Sequence, residues 1–204
     1  MSEQQVIISF DIGIRNLSLC AIIANKESDT IKLLLWKNLS LLGDYEKKKN
    51  VNLNELSGRL FMELDIITDF INISGHEIDT ILLENQPTNG IMKSIQLLIY
   101  SYYQLRRHWQ GTVRNVHMIS ATQKLLNHHF ELSNEFLDTI KNKRPYDIRK
   151  LKSIEYIRKY IENDPASIEI FNSNNKKDDL SDTLNQAISW LNKQKYNIRN
   201  ISMI

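Results

Sequence analysis

The chain has 204 residues, of which 42% are hydrophobic and 25% charged. That is enough for one domain with a sizeable core, and the balance excludes a disordered or fibrous chain. A net charge of +2 names no partner, and the lone cysteine, Cys20, excludes a disulfide framework or a thiolate zinc site.

The N-terminal "MSEQQ" lacks the basic and apolar blocks of a signal peptide, and no Arg-rich transit segment follows. A reducing, cytoplasmic location is expected, with viral origin compatible with it. No apolar run approaches the roughly 18–20 residues of a membrane span, so no membrane partner is expected.

Residues 6–11 and 17–24 read as two strands around the turn "DIGIRN", where Gly13 and Asn16 supply turn chemistry. "TIKLLLW" at 30–36 reads as a third, and the short connections imply an antiparallel meander. Residues 53–71 repeat leucine and isoleucine at helical spacing. "DTILLENQ" (79–86) is a fourth strand, 91–109 a long helix, and "VRNVHMIS" (113–120) a fifth strand. "ATQKLLNHHF" reads as a short helix, "DTIKNKRPYD" is open to being loop, and 147–162 and 178–194 read as two further helices. One domain over 1–204 is expected, an α/β fold with a mixed five-stranded sheet and helices on its faces.

Three acidic positions carry chemistry. Asp11 ends the first strand and Glu84 the fourth. The third is "KKDDLSDTLNQAISWL" at 176–191, whose Leu180, Leu184, Ala187, Ile188 and Leu191 form one helical stripe. With Asp179 at 0°, Asp182 lies at about 300° and the stripe at about 80–180°. The i, i+3 pair thus flanks the packed stripe, and Asp178 with Asp182 is nearly as close. Taken singly, these acids also suit a turn cap, a strand end and a helix N-terminus. Taken together, strand-end acids and a helical pair would repel unless cations neutralise them. Hard divalent ions take such oxygen ligands, and two Mg²⁺ ions can activate a water and stabilise a leaving oxygen in phosphodiester cleavage, with Mn²⁺ as a substitute. Asp11 is then tolerated beside a core because it ligates metal, and Gly13 permits close approach of backbone or substrate.

"ISFDIGIRNLSLCAI", "ILLENQP" and "KKDDLSDTLNQAI", in this order over residues 6 to 191, resemble the RuvC-like Holliday junction resolvases of the RNase H-like superfamily. The poxvirus and fungal mitochondrial members are the most similar in flavour. The resemblance implies an RNase H-like fold and a homodimeric endonuclease that nicks four-way DNA junctions symmetrically with Mg²⁺. Asp11, Glu84, Asp179 and Asp182 match its four carboxylates, and Lys124 its lysine after the fifth strand. Asp178 is an extra acid, which leaves the register of the helical pair open.

Residues 141–159 carry eight Lys or Arg against Asp147 and Glu155. Among these, Lys141, Lys143, Arg144, Arg149, Lys150 and Lys152 are candidate DNA contacts, because Lys and Arg contacts to phosphates dominate nucleic-acid affinity. Arg15 and Asn16 stand near Asp11 and could meet a phosphate at the cut. The helix 91–109 carries Ile91, Ile95, Leu98, Tyr102, Leu105 and Trp109 on a wide apolar face, which suits either a subunit interface or a fully buried helix; a charge at Ile95 or Leu98 would weaken association in the first case and unfold the chain in the second. His128 and His129 lack metal-ligand spacing and read as surface residues. An actin-like ATP-binding domain also opens on "DIG", but every glycine here is isolated, so no nucleotide cofactor is expected. A nuclease for other branched DNA or structured RNA remains open, since its carboxylates would be the same.

Overall fold

The computed structural model describes residues 4–43, 52–86 and 90–204. Six strands form one sheet in the order β5-β4-β1-β2-β3-β6. The meander β1 (Gln4–Asp11), β2 (Leu17–Asn25) and β3 (Thr30–Leu39) is antiparallel, as expected. β4 (Ile78–Glu84) lies parallel to β1, and β5 (Val113–Ile119) parallel to β4. The five expected strands are present. A sixth, β6 (Asn200–Met203), pairs with β3 in parallel and escaped prediction: it has four residues, of which only Ile201 is buried.

Alternation in β1 feeds two cores. Ile8 and Phe10 face α1 (Leu53–Ile73) and α2 (Ile91–Leu105). Ile7 faces α4 (Pro145–Ile161), α5 (Pro165–Ser173) and α6 (Lys177–Lys193). Helices cover both faces, so the inner strands read as continuous apolar runs. In α1 the inward positions are Leu56, Leu60, Leu64, Ile67 and Ile71. The α6 stripe from Leu180 to Leu191 is buried at every position expected of it. No helix among the described residues is long and apolar enough to cross a membrane.

Three local expectations change. The helix expected over 91–109 is α-helical only to Leu105; a π turn (Arg106–Gln110) follows and stops at Gly111, whose φ of 67° suits glycine. The segment "DTIKNKRPYD", open to being loop, is non-helical only at 141–144: it is entered by a short helix, α3 (Asn134–Ile140), capped by Ser133, and left by the first turn of α4. The helix expected over "ATQKLLNHHF" is a single 3₁₀ turn, Ala121–Gln123. Ser120 takes the Thr122 amide there, and Asn127 turns the chain at a φ of 60°. His128 then donates through Nε2 to the Lys124 carbonyl, 3.1 Å away, in place of a helical amide.

Gly13 lets the β1–β2 turn close. A Cβ there would lie 2.2 Å from the Asn16 carbonyl oxygen, so the close approach is by backbone. Gly13→Ala should therefore destabilise the fold by about 1–3 kcal/mol, the usual cost of a forced backbone shift. The measurement is a lower urea midpoint at an unchanged slope of free energy against denaturant.

Candidate active site

The parallel pairing of β1 with β4 brings their C-terminal ends side by side, which places Asp11 next to Glu84. The chain beyond β4 is pinned there. The Asn85 amide donates to the Ile119 carbonyl at 2.7 Å, and the Gln86 amide to Oε1 of the wholly buried Gln96 at 2.9 Å. α6 crosses this edge on its apolar stripe and turns Asp179 and Asp182 inward. A hollow of about 310 Å³ is lined by Asp11, Glu84, Asp179 and Asp182 from one side, and by Lys124, Tyr146, Arg149 and Lys150 from the other.

Lys124 stands at the centre. Its Nζ is 3.0 Å from Asp11, 3.1 Å from Glu84 and 3.0 Å from Asp182, and only 6% of its side chain is exposed. Burial works against the ammonium, but Asp11, Asp182 and Glu84 outweigh it and hold its pKa well above the lysine range. One cation does not cancel four acids. Burial pushes Asp11 up to about 7 against the pull of Lys124, with Glu84 adding to the rise. Burial also pushes Asp179 up to about 6, helped by the charges of Asp178 and Asp11. Asp182 is raised for the same first reason, although Lys124 opposes the shift and Ser153 donates to it at 2.6 Å.

Asp178 faces away from this group. It pairs with Lys150, and that partner holds its carboxyl below the usual range despite burial. Geometry thus puts Asp179, and not Asp178, in the hollow. The basic segment divides similarly. Arg149 and Lys150 line the hollow, with Lys150 4.9 Å above the Tyr146 ring. Lys141 and Arg144 are exposed and paired with Asp138 and Asp147, and Lys143 is exposed beside them. Lys152 is partly buried on the same helix. Arg15 is exposed and Asn16 partly so, in the turn after Asp11.

Several residues that shape the site carry no charge and escaped prediction. Ser153 accepts from Asn185 Nδ2 at 2.8 Å while donating to Asp182, so α4 fixes the acid of α6. A serine inside the buried stripe Ser153, Ile157, Tyr160 of α4 was its only signal. His128 is not a surface residue. Its ring stacks on Tyr156 at 4.1 Å, burial lowers its pKa to about 4, and it holds the turn that carries Lys124. His129 is exposed, as expected.

The residues suit a hard divalent cation. Asp11, Glu84 and Asp182 converge on one point, and the raised pKa values of Asp11 and Asp182 are those of buried carboxylates short of positive charge. Among the described residues no three His, Cys, Asp or Glu side chains are already set around a metal, because the ammonium of Lys124 takes that point. The "DIG" turn is no phosphate cradle, since the space that Gly13 leaves is filled by the Asn16 carbonyl.

Compared with known proteins, residues 5–194 match the family described as Poxvirus A22 protein. No curated protein sequence matches the chain. Among solved structures, the fowlpox virus Holliday junction resolvase is similar with a TM-score of 0.60 and 18% identity, over 93% of this chain and 99% of that one. The yeast mitochondrial Holliday junction resolvase gives 0.59 and 14%, over 94% and 80%. Thermus thermophilus RuvC with its junction substrate gives 0.56 and 12%, over 96% and 99%. At these identities the likeness shows the fold, which is the RNase H-like one expected.

The raised pKa of Asp11 gives a pH slope with a definite sign. Between about pH 4 and 7 the folded chain keeps a proton that the unfolded chain has released, so stability falls as pH rises through that window. Asp11→Asn lacks this slope. In chelator, the stability of the variant relative to wild type should therefore shift in the variant's favour from pH 4.5 to 8. Urea unfolding at several pH values checks it, and a constant difference would show that Asp11 is ionised throughout.

Proposed function

We propose that this chain, which belongs to the poxvirus A22 protein family, is an endonuclease that resolves four-way DNA junctions by symmetric phosphodiester cleavage. The observation that carries the reading is the convergence of Asp11, Glu84 and Asp182 on one buried cation position, with Asp179 beside them. Structures of the same fold include a fowlpox virus resolvase with its substrate Holliday junction. Asp11, Glu84, Asp179 and Asp182 would hold Mg²⁺, two ions per site in this reading, with Mn²⁺ as substitute. Bound there, the metal would sharpen a water into a nucleophile and stabilise the leaving oxygen.

The protein's own groups do the rest. Ser153 and Asn185 keep Asp182 oriented toward the metal position. Arg149 and Lys150 stand at the rim of the hollow, where they meet the phosphates flanking the cut. With a metal held by Asp11, Glu84 and Asp182, Lys124 would be free to meet the scissile phosphate and offset charge that develops on it. Arg15 and Asn16 contact the strand on the β1–β2 side, and Lys141, Lys143, Arg144 and Lys152 extend the basic track along a junction arm.

Two matched cuts call for two sites related by a dyad, so the working form in this reading is a homodimer. Ile95 is wholly buried against the sheet and Leu98 packs beside that core, so these two positions follow the buried reading of the helix and not the interface one. Among the exposed apolar residues are Leu97, Leu105 and Trp109 of α2 and its π turn, and Met62, Ile66 and Phe70 of α1. Phe61, Tyr102, Leu105 and Trp109 line a groove of about 440 Å³. In this reading that groove belongs to the interface.

Purified protein incubated with Mg²⁺ and a synthetic four-way junction should yield two symmetric nicks, and linear duplex or an RNA hairpin should yield none. Asp11→Asn, Glu84→Gln and Asp182→Asn should abolish cleavage while the mobility shift of the junction persists, since phosphate contacts are spread more widely. Lys124→Ala should slow single-turnover cleavage roughly 10²–10³-fold, as the loss of one fixed transition-state donor does. Turnover near wild type in Asp11→Asn would sink the metal site.

A dimer is expected by light scattering. Trp109→Glu or Ile66→Glu should convert it to monomer with an unchanged circular dichroism spectrum. A wild-type chain that is monomeric at micromolar concentration, with and without junction, refutes this interface.

A further inference from the structure

A second cavity, of about 520 Å³, opens between the edge strand β5 and α6, and the proposed reaction makes no use of it. His117, Gln123, Asn127, Gln186, Trp190 and Lys193 line it, and no carboxylate does. Its size falls in the range of small-molecule sites, roughly 300–1,000 Å³. Trp190 and His117 stand at its side with ring centroids 5.9 Å apart and planes tilted by 38°.

Gln186 closes its inner wall: it is 1% exposed, and its Nε2 donates to Ser9 Oγ at 3.1 Å and toward the Phe10 carbonyl at 3.4 Å. Its Oε1 is sealed from solvent, so Gln186 shapes the wall and is not itself a ligand contact. What a ligand meets is the rings of Trp190 and His117, the amides of Gln123 and Asn127, and Lys193. A nucleobase is a flat ring that stacks on indole and imidazole, with N–H and carbonyl edges that suit amides. Lys193, exposed at the mouth, suits the phosphate that accompanies such a base.

The position fits a strand held for cleavage. Gln123 lines this cavity and its neighbour Lys124 lines the acidic hollow. Along α6, Asp182 and Trp190 are eight residues apart, which is about 12 Å. We infer that the cavity between β5 and α6, with Trp190 and His117 alongside and Lys193 at its mouth, receives one unpaired nucleobase of the junction strand close to the cut. This rests on the nuclease reading above and gives it a contact that discriminates an open junction from stacked duplex.

The test is a scan of four-way junctions that carry one abasic residue at successive positions around the cut. Affinity is measured with Ca²⁺ in place of Mg²⁺, and cleavage separately with Mg²⁺. Wild type should lose about tenfold in affinity at one position only, as the loss of one stacked base predicts. Trp190→Leu and His117→Ala should bind intact junction about tenfold more weakly and be indifferent to the abasic residue at that position. Their circular dichroism should match wild type. Equal affinity for every abasic junction, or the same sensitivity in Trp190→Leu, overturns the inference while leaving the nuclease reading intact. Absence of junction binding and cleavage by wild type overturns both. Free deoxynucleoside monophosphates supply the second arm, read on the indole NH signal of Trp190. Tight binding of these with no abasic effect would assign the cavity to a soluble nucleotide and remove it from the DNA strand.

Discussion

The site depends on how α6 lies on the sheet. Leu180, Leu184, Ala187, Ile188 and Leu191 must all face β1, β2 and β3, because they are the apolar surface the helix has to hide. Once they do, rotation about the helix axis is spent. Asp179 and Asp182 can then point only to the edge where β1 and β4 end. The acids are held in place by hydrophobic burial some distance from them, which is how a group of mutually repelling carboxylates persists in a stable fold. A carboxylate cluster built on loops would spread apart.

The remaining freedom is removed by the polar seam between α4 and α6. Ser153 and Asn185 hold Asp182, and Lys150 draws Asp178 outward. Two adjacent aspartates are thereby sorted into different roles. One is itself made hard to ionise by burial and by neighbouring negative charge, and the other is stabilised as an anion by its own lysine. α4 therefore does more than present basic residues at the rim of the hollow. It also decides which acids belong to the centre.

Much of this was legible in the residues. Five strands and the main helices announce themselves as apolar runs and stripes, and Asp11, Glu84, Asp179 and Asp182 stand where such elements end. The strand β6 was not legible because its pairing with β3 supplies the order that its four residues do not. In α2, inward Ile95, Ile99 and Tyr103 are interleaved with outward Leu97 and Leu105, so periodicity alone could not tell core from exposed face. Ser153, Gln186 and His128 act through what they touch across the fold, and such pairings have no local spacing. The placement of Lys124 came from resemblance. The short segment around it has neither a long stripe nor a helix to orient it.

The position of Lys124 separates folding from loading. In small metal-dependent domains the ligands have no partner until the ion arrives, so the apo chain is unfolded and chelators denature it. Here an ammonium tethered to the same chain sits among the three carboxylates. It gives the newly made protein an internal counter-ion, available at once and at fixed stoichiometry. The carboxylates can be gathered and enclosed before any dissolved cation is captured. The cost is a competition, since an incoming divalent ion would have to displace a charge that cannot diffuse away. Its affinity would then be set by a difference between two cations and not by the acids alone.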